Sequence, residues 1–130
     1  MPSRTVAEHV ADPCHAGAIE GASLAGEAAG ANRLLVRLGL WLGRDGRVSR
    51  ARYLATTCAS LIAYAEAACA LAEAGEDLSR LDAGRLRGAV AGVHPVHHDR
   101  ADLVVLALSR ALTRSRPEAQ GFPVQNGANP

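Results

Sequence analysis

The chain has 130 residues, 48% of them hydrophobic but only 3% aromatic, and its 14 basic and 13 acidic residues leave a formal charge of +1. That size suits one domain with a core of Leu, Val, Ile and Ala, and the near-neutral balance argues against a dedicated nucleic-acid or membrane-surface protein, which carries a basic excess. No apolar run of about 20 residues that could span a bilayer occurs, and no signal-peptide core follows Met1-Pro2-Ser3-Arg4, so the expected location is cytoplasmic.

Residues 5–11 read as a short helix, stopped at Asp12-Pro13 because the residue before proline avoids the helical region. Asp12-Pro13-Cys14-His15-Ala16-Gly17 reads as a turn. A first strand is expected over 19–26, followed by a loop of small residues to Asn32. Leu34, Val36, Leu38, Leu40 and Leu42 then alternate, which puts five apolar side chains on one face of a strand. Arg33, Arg37 and Trp41 fall on the other face, where a tryptophan among arginines suggests a partner surface. Asp45-Gly46 supplies the positive torsion of a hairpin turn, and the second strand ends before Cys58. Within it Val48, Ala51 and Tyr53 break the period of two, the mark of a bulge.

Cys58 opens an alanine-rich run without proline that ends at Gly75. Leu61, Ile62, Ala65, Ala68, Cys69 and Ala72 form an apolar stripe on this helix, with Ser60, Glu66 and Glu73 assigned to its other face. A cysteine at a helix start sits at the positive end of the backbone dipole, which favours thiolate over thiol. Asp82 is placed to cap a short helix reaching residue 91, with Gly92 as its stop. Residues 93–98 should be extended around Pro95, so that His97 and His98 point to opposite sides. Asp99 can cap a last helix whose face is Leu103, Val104, Ala107, Leu108, Ala111 and Leu112. Strands first and helices after predict an α+β domain over residues 1–113, a small antiparallel sheet of about three strands with helices on one face. Residues 114–130, rich in Pro, Gly, Asn and Gln, are expected to be a disordered tail.

The three cysteines, Cys14, Cys58 and Cys69, do not suit a disulfide framework. Cys58 and Cys69 lie ~16 Å apart along one helix at ~1.5 Å per residue, too far to pair or to share a metal ion. Cys69 reads as a core residue, and His9 and His15 as surface residues.

Several of these stretches together resemble the NifU/IscU-type iron–sulfur cluster assembly scaffolds. Residues 12–17 are similar to that family's Asn-Pro-Arg-Asn-x-Gly opening. The run from Ala51 to Ala63 around Cys58 is similar to its Ala-x-Phe-x-x-x-Gly-Cys-x-x-x-Ile-Ala, and Pro95-Val96-His97-His98-Asp99-Arg100 stands where it has Pro-Val-Lys-x-His-Cys. The resemblance covers residues 6 to 112. It implies a scaffold or carrier rather than an enzyme, and an iron–sulfur cluster or zinc held by three cysteines, an aspartate and sometimes a histidine. Gly30 stands at the first cysteine and Asn32 at the aspartate, or Asn32 at the cysteine if the loop is slid by two residues. Cys58 keeps the second cysteine, Asp99 replaces the histidine and Arg100 the third cysteine.

One thiolate therefore remains. A zinc ion on Cys58, Asp99 and one or both of His97 and His98 is chemically allowed, with Asn32 a further candidate. A cluster shared by Cys58 of two copies in a homodimer is another arrangement. Arg100 would oppose a cation but suits a nucleophilic thiol, so Cys58 could instead accept sulfur from a cysteine desulfurase, the partner that the resemblance implies alongside other cluster-assembly proteins. The remaining alternative is a scaffold-like interaction protein that binds no metal. Neither nucleic acid nor membrane is expected as a partner.

Overall fold

A computed structural model describes residues 4–113; the expected tail over 114–130 lies outside the described residues. The chain enters through a two-residue strand, β1 (Arg4–Thr5), and a short helix, α1 (Val6–Ala11). Thr5 and Glu8 cap that helix reciprocally: the Thr5 hydroxyl accepts the Glu8 N–H at 3.1 Å and the Glu8 carboxylate accepts the Thr5 N–H at 2.8 Å. The helix ends at Asp12, as the following proline requires.

Three strands, β2 (Leu24–Ala29), β3 (Leu35–Leu42) and β4 (Val48–Ala55), form an antiparallel sheet in the order β2-β3-β4. The hairpin between β3 and β4 turns at Gly46, whose φ is +80°, and the Gly46 N–H donates to Gly43 O at 3.0 Å. The expected bulge is present. Trp41 pairs with Arg50 but Leu42 with Val48, leaving Ser49 over, and its hydroxyl donates to Trp41 O at 3.1 Å. Of the five alternating residues, Val36, Leu38 and Leu40 are fully buried, Leu34 is half-buried, and Leu42 at the sheet's end is exposed.

The first strand of the sheet starts at Leu24 rather than at residue 19, and it runs through the glycine and alanines expected to form a loop. Packing overrides the weak strand propensity of these residues. The last helix, α4 (Arg100–Thr113), lies so close over β2 that a Cβ on Gly26 would overlap the Ala107 carbonyl oxygen and the Ala111 nitrogen. Residues 17–23 instead cover the outer face, where Ile19 packs on Gly39 and a Cβ there would stand 2.8 Å from it.

The central helix, α2 (Ala59–Glu73), begins one residue after Cys58 and ends at Ala74, followed by Gly75 with φ +91°. It is wrapped by β4, α1, α4 and a short helix α3 (Ala83–Ala89), so it is buried on nearly every side. Ser60 and Glu66, assigned to the face opposite the apolar stripe, are 5% and 1% exposed. Asp82 caps α3 as expected, accepting the Arg85 N–H at 2.8 Å. Helix α3 stops at Ala89, short of the expected residue 91, because Val90–Ala91 forms a strand, β5, that pairs in parallel with β1. The approach to α4 is not extended either: Pro95–His97 makes a 3-10 turn, with proline at its first position and the His94 ring accepting the Val96 N–H at 3.2 Å. Cys69 is 2% exposed, in the core as expected. Among the described residues no helix is long and apolar enough to cross a membrane.

Candidate functional site

Three connections meet at one end of the sheet. The β2–β3 turn is closed by the Leu34 N–H donating to Ala31 O at 3.2 Å and the Gly30 N–H to Leu34 O at 2.9 Å. Its central residues, Asn32 and Arg33, have φ of 59° and 62°. Two successive positive torsions match the twist of the flanking strands. Asparagine tolerates this region well, and a branched-free arginine does so at a cost of about 1–2 kcal/mol.

The second connection runs from β4 to α2. Thr56 pins it by accepting the Leu35 N–H at 3.0 Å. Cys58 then takes the N-cap position with extended backbone, its carbonyl accepting the Ile62 N–H at 2.9 Å. Its sulfur makes no capping bond to the helix and is left for other partners.

The third connection leads into α4. Arg100 Nη1 donates to Asp99 Oδ1 at 2.7 Å, and the nearby Asp99 and then Cys58 hold Arg100 above its ordinary pKa. The arginine side chain is only 14% exposed, and its Nε is buried with no protein partner. Gly30, Asn32, Asp99, Arg100 and Leu103 line a cleft of about 260 Å³. Asn32 and Asp99 thus share one cleft, whereas Cys58 does not line it and is related to it through the nearby Arg100.

The two histidines are separated from this cleft in different ways. His97 turns toward α2, its Nδ1 at 3.1 Å from the Ser60 hydroxyl, whereas His98 is exposed and its carbonyl faces Arg87. The 3-10 turn, rather than strand alternation, sets them apart. Among the described residues no three His, Cys, Asp or Glu side chains gather as a metal-binding group.

No family model and no curated protein matches this chain.

A second polar cluster, absent from the reading of the sequence, lies along α2 at Glu66 and Glu73. His15, expected at the surface, is clamped instead. Its backbone N–H donates to Glu66 Oε1 at 2.9 Å, its Nδ1 meets Glu66 Oε2, and its Nε2 lies 2.9 Å from Glu73 Oε1. Glu73 also accepts the Ala51 N–H and an Arg52 N–H, each at 2.8 Å. Burial alone would raise the Glu73 pKa, but the bonds from Ala51 and His15 outweigh it and hold the carboxyl below its ordinary value. This cluster fastens the 12–17 turn, and with it α1, to the helix that carries Cys58.

His9 is likewise inside, 4% exposed, with both ring nitrogens lacking a protein partner. Burial and then Arg4 lower its pKa from the ordinary 6.5, against the pull of Glu66 and Glu8. The unfolded chain therefore binds this proton before the folded one does, and stability falls as pH drops below about 6.5. Urea unfolding at stepped pH should show the slope, and His9→Leu should flatten it; equal slopes in both proteins would remove His9 as the cause.

Proposed function

We propose that this chain is a divergent scaffold-type domain of iron–sulfur cluster assembly in which Cys58 accepts sulfur from a cysteine desulfurase. The observation that carries the reading is Arg100, whose guanidinium is bonded to Asp99 in the cleft wall and lies near enough to Cys58 to be influenced by it. The Cys58 sulfur is half-exposed at a helix start, and the cation near it can face an anionic sulfur during a transfer. In the transfer, the Cys58 thiolate attacks the outer sulfur of the donor's persulfide. A new S–S bond forms on Cys58, the donor's S–S bond breaks, and the electron pair leaves on the donor cysteine as thiolate. The Cys58 proton goes to solvent, and no external oxidant or reductant is consumed. Arg100 then faces the anionic outer sulfur of the product.

The donor set does not fit a cluster or a tetrahedral zinc within one chain, each of which takes about four ligands. Cys58 offers a single thiol, Asp99 is bound by Arg100, and His97 by Ser60. The resemblance in the stretches around residues 12–17, 51–63 and 95–100 supports the scaffold type, as does the meeting of the Gly30–Asn32 turn, Cys58 and Asp99–Arg100 at one end of the sheet.

The test is anaerobic incubation with a cysteine desulfurase and sulfur-labelled cysteine, followed by peptide mapping and metal analysis. One labelled sulfur on Cys58 is expected, none in Cys58→Ser, and a rate lower by about tenfold or more in Arg100→Ala. Label confined to Cys14, or no label, rejects the reading. A coloured or zinc-loaded protein with one metal centre for two chains would replace it with the shared-site arrangement. If Cys58→Ser changes no activity and no partner, the interaction-protein alternative stands.

A further inference from the structure

The β3–β4 hairpin carries a feature that the Cys58 cleft does not use. Residues 43–50 hold three arginines, Arg44, Arg47 and Arg50, against one carboxylate, Asp45. All three arginines are exposed, and among the described residues none of them is paired with a carboxylate. By contrast Arg37, Arg52, Arg80, Arg85, Arg87 and Arg100 each meet one. Asp45 is engaged locally, accepting the Arg47 N–H at 3.0 Å. The Arg50 guanidinium lies over the Trp41 ring, 4.9 Å from its centroid, directly across the strand pair. Trp41 is half-buried, with its indole Nε1 close to Gly21 of the 17–23 segment.

We infer that this hairpin end is a docking surface for a short acidic segment of a partner protein. An aromatic ring stacked under arginine is a low-entropy contact platform, and arginine's planar fork matches carboxylates two oxygens at a time. Charge complementarity sets the chemistry of the occupant. Its footprint is small: Asp45 sits inside it and the exposed Glu20 lies in the adjoining segment, so the positive field is short and interrupted. A nucleic-acid backbone needs a longer basic track than this. The surface also leaves the cleft open. Strand β3 runs from Leu35, beside the Cys58 connection, to Leu42 at the hairpin, so at ~3.3 Å per residue the two sites are about 25 Å apart. A partner held here would not cover Cys58.

Trp41 is the chain's one tryptophan, so its emission reads this surface alone. The full chain is titrated with a hepta-glutamate peptide, with single-stranded oligothymidine as the competing class. Expected is a saturable change in Trp41 emission with the peptide, weakened strongly between ~20 and ~200 mM salt. Affinity should fall about tenfold or more in Arg44→Glu/Arg50→Glu, whereas Arg33→Glu/Arg80→Glu, with the same change in net charge, should keep it. No emission change, equal losses in the two double variants, or tighter binding of oligothymidine would overturn the inference. Circular dichroism of each variant confirms the fold, and Cys58→Ser should bind the peptide as the parent does.

Discussion

Gly26→Ala should destabilise the domain by about 3 kcal/mol, although it adds a single methyl group. The position needs no special torsion; what it needs is room. The new Cβ would overlap the backbone of α4 at Ala107 and Ala111, and backbone atoms offer no rotamer that relieves the overlap. The helix must therefore lift off β2, and the contacts of Val104, Ala107, Leu108 and Ala111 with the sheet loosen together. Gly30→Ala is the matched control. Its Cβ would stand 3.4 Å from Leu103 Cδ2, the end of a side chain that can turn, so a change within about 0.5 kcal/mol is expected. Urea unfolding of both variants checks the pair: a shifted midpoint at unchanged slope for Gly26→Ala, and almost none for Gly30→Ala. Because α4 starts at Arg100, the same displacement should draw the guanidinium away from Cys58. Alkylation of Cys58 in Gly26→Ala should then slow relative to the exposed Cys14.

What the sequence discloses follows from which forces are local. The stop of α1 at Asp12-Pro13, the Asp45-Gly46 turn, the bulge and the bounds of α2 depend on neighbours a few residues away, so residue pattern reveals them. The start of β2 depends on α4, some 80 residues later, and Ala-Gly-Glu-Ala-Ala carries no strand signal of its own. The 3-10 turn at Pro95 was hidden for a related reason. Proline rules out the interior of a helix but not its first position, and the reading as an extended segment took the wrong one of two allowed states. At the site, the meeting of Gly30–Asn32 with Asp99–Arg100 was legible through the resemblance, and the reach of Arg100 to Cys58 through the arginine's position. Glu66 was legible in principle. It lies four residues after Ile62 and three before Cys69, inside the very stripe identified as apolar. A charge at such a position must find a partner, and only the fold shows that the partner is His15.

That pairing underlies the second large effect. Glu66→Leu should cost about 3 kcal/mol, the penalty for leaving buried hydrogen-bonding groups without their partner. The loss has several parts. The His15 N–H loses its acceptor, the His15 ring loses one of its two carboxylates, and Tyr53, whose hydroxyl is buried without a hydrogen-bond partner, loses a nearby carboxylate. The leucine fills the volume, so a cavity is not the cause. Glu66→Gln should cost less, because its amide oxygen can still accept the backbone N–H. Its NH2 group, however, would face a ring nitrogen that itself donates to a carboxylate in the parent. His15→Gln in the same background should then cost less than it does in the parent, a coupling of about 1–3 kcal/mol in a double-mutant cycle. Additive losses would mean that Glu66 and His15 act separately. Since the pair ties the 12–17 turn to α2, hydrogen exchange should quicken in α1 and in residues 12–17 of Glu66→Gln before it does in β3. Uniform quickening would show instead that the cluster belongs to the global core rather than to this one attachment.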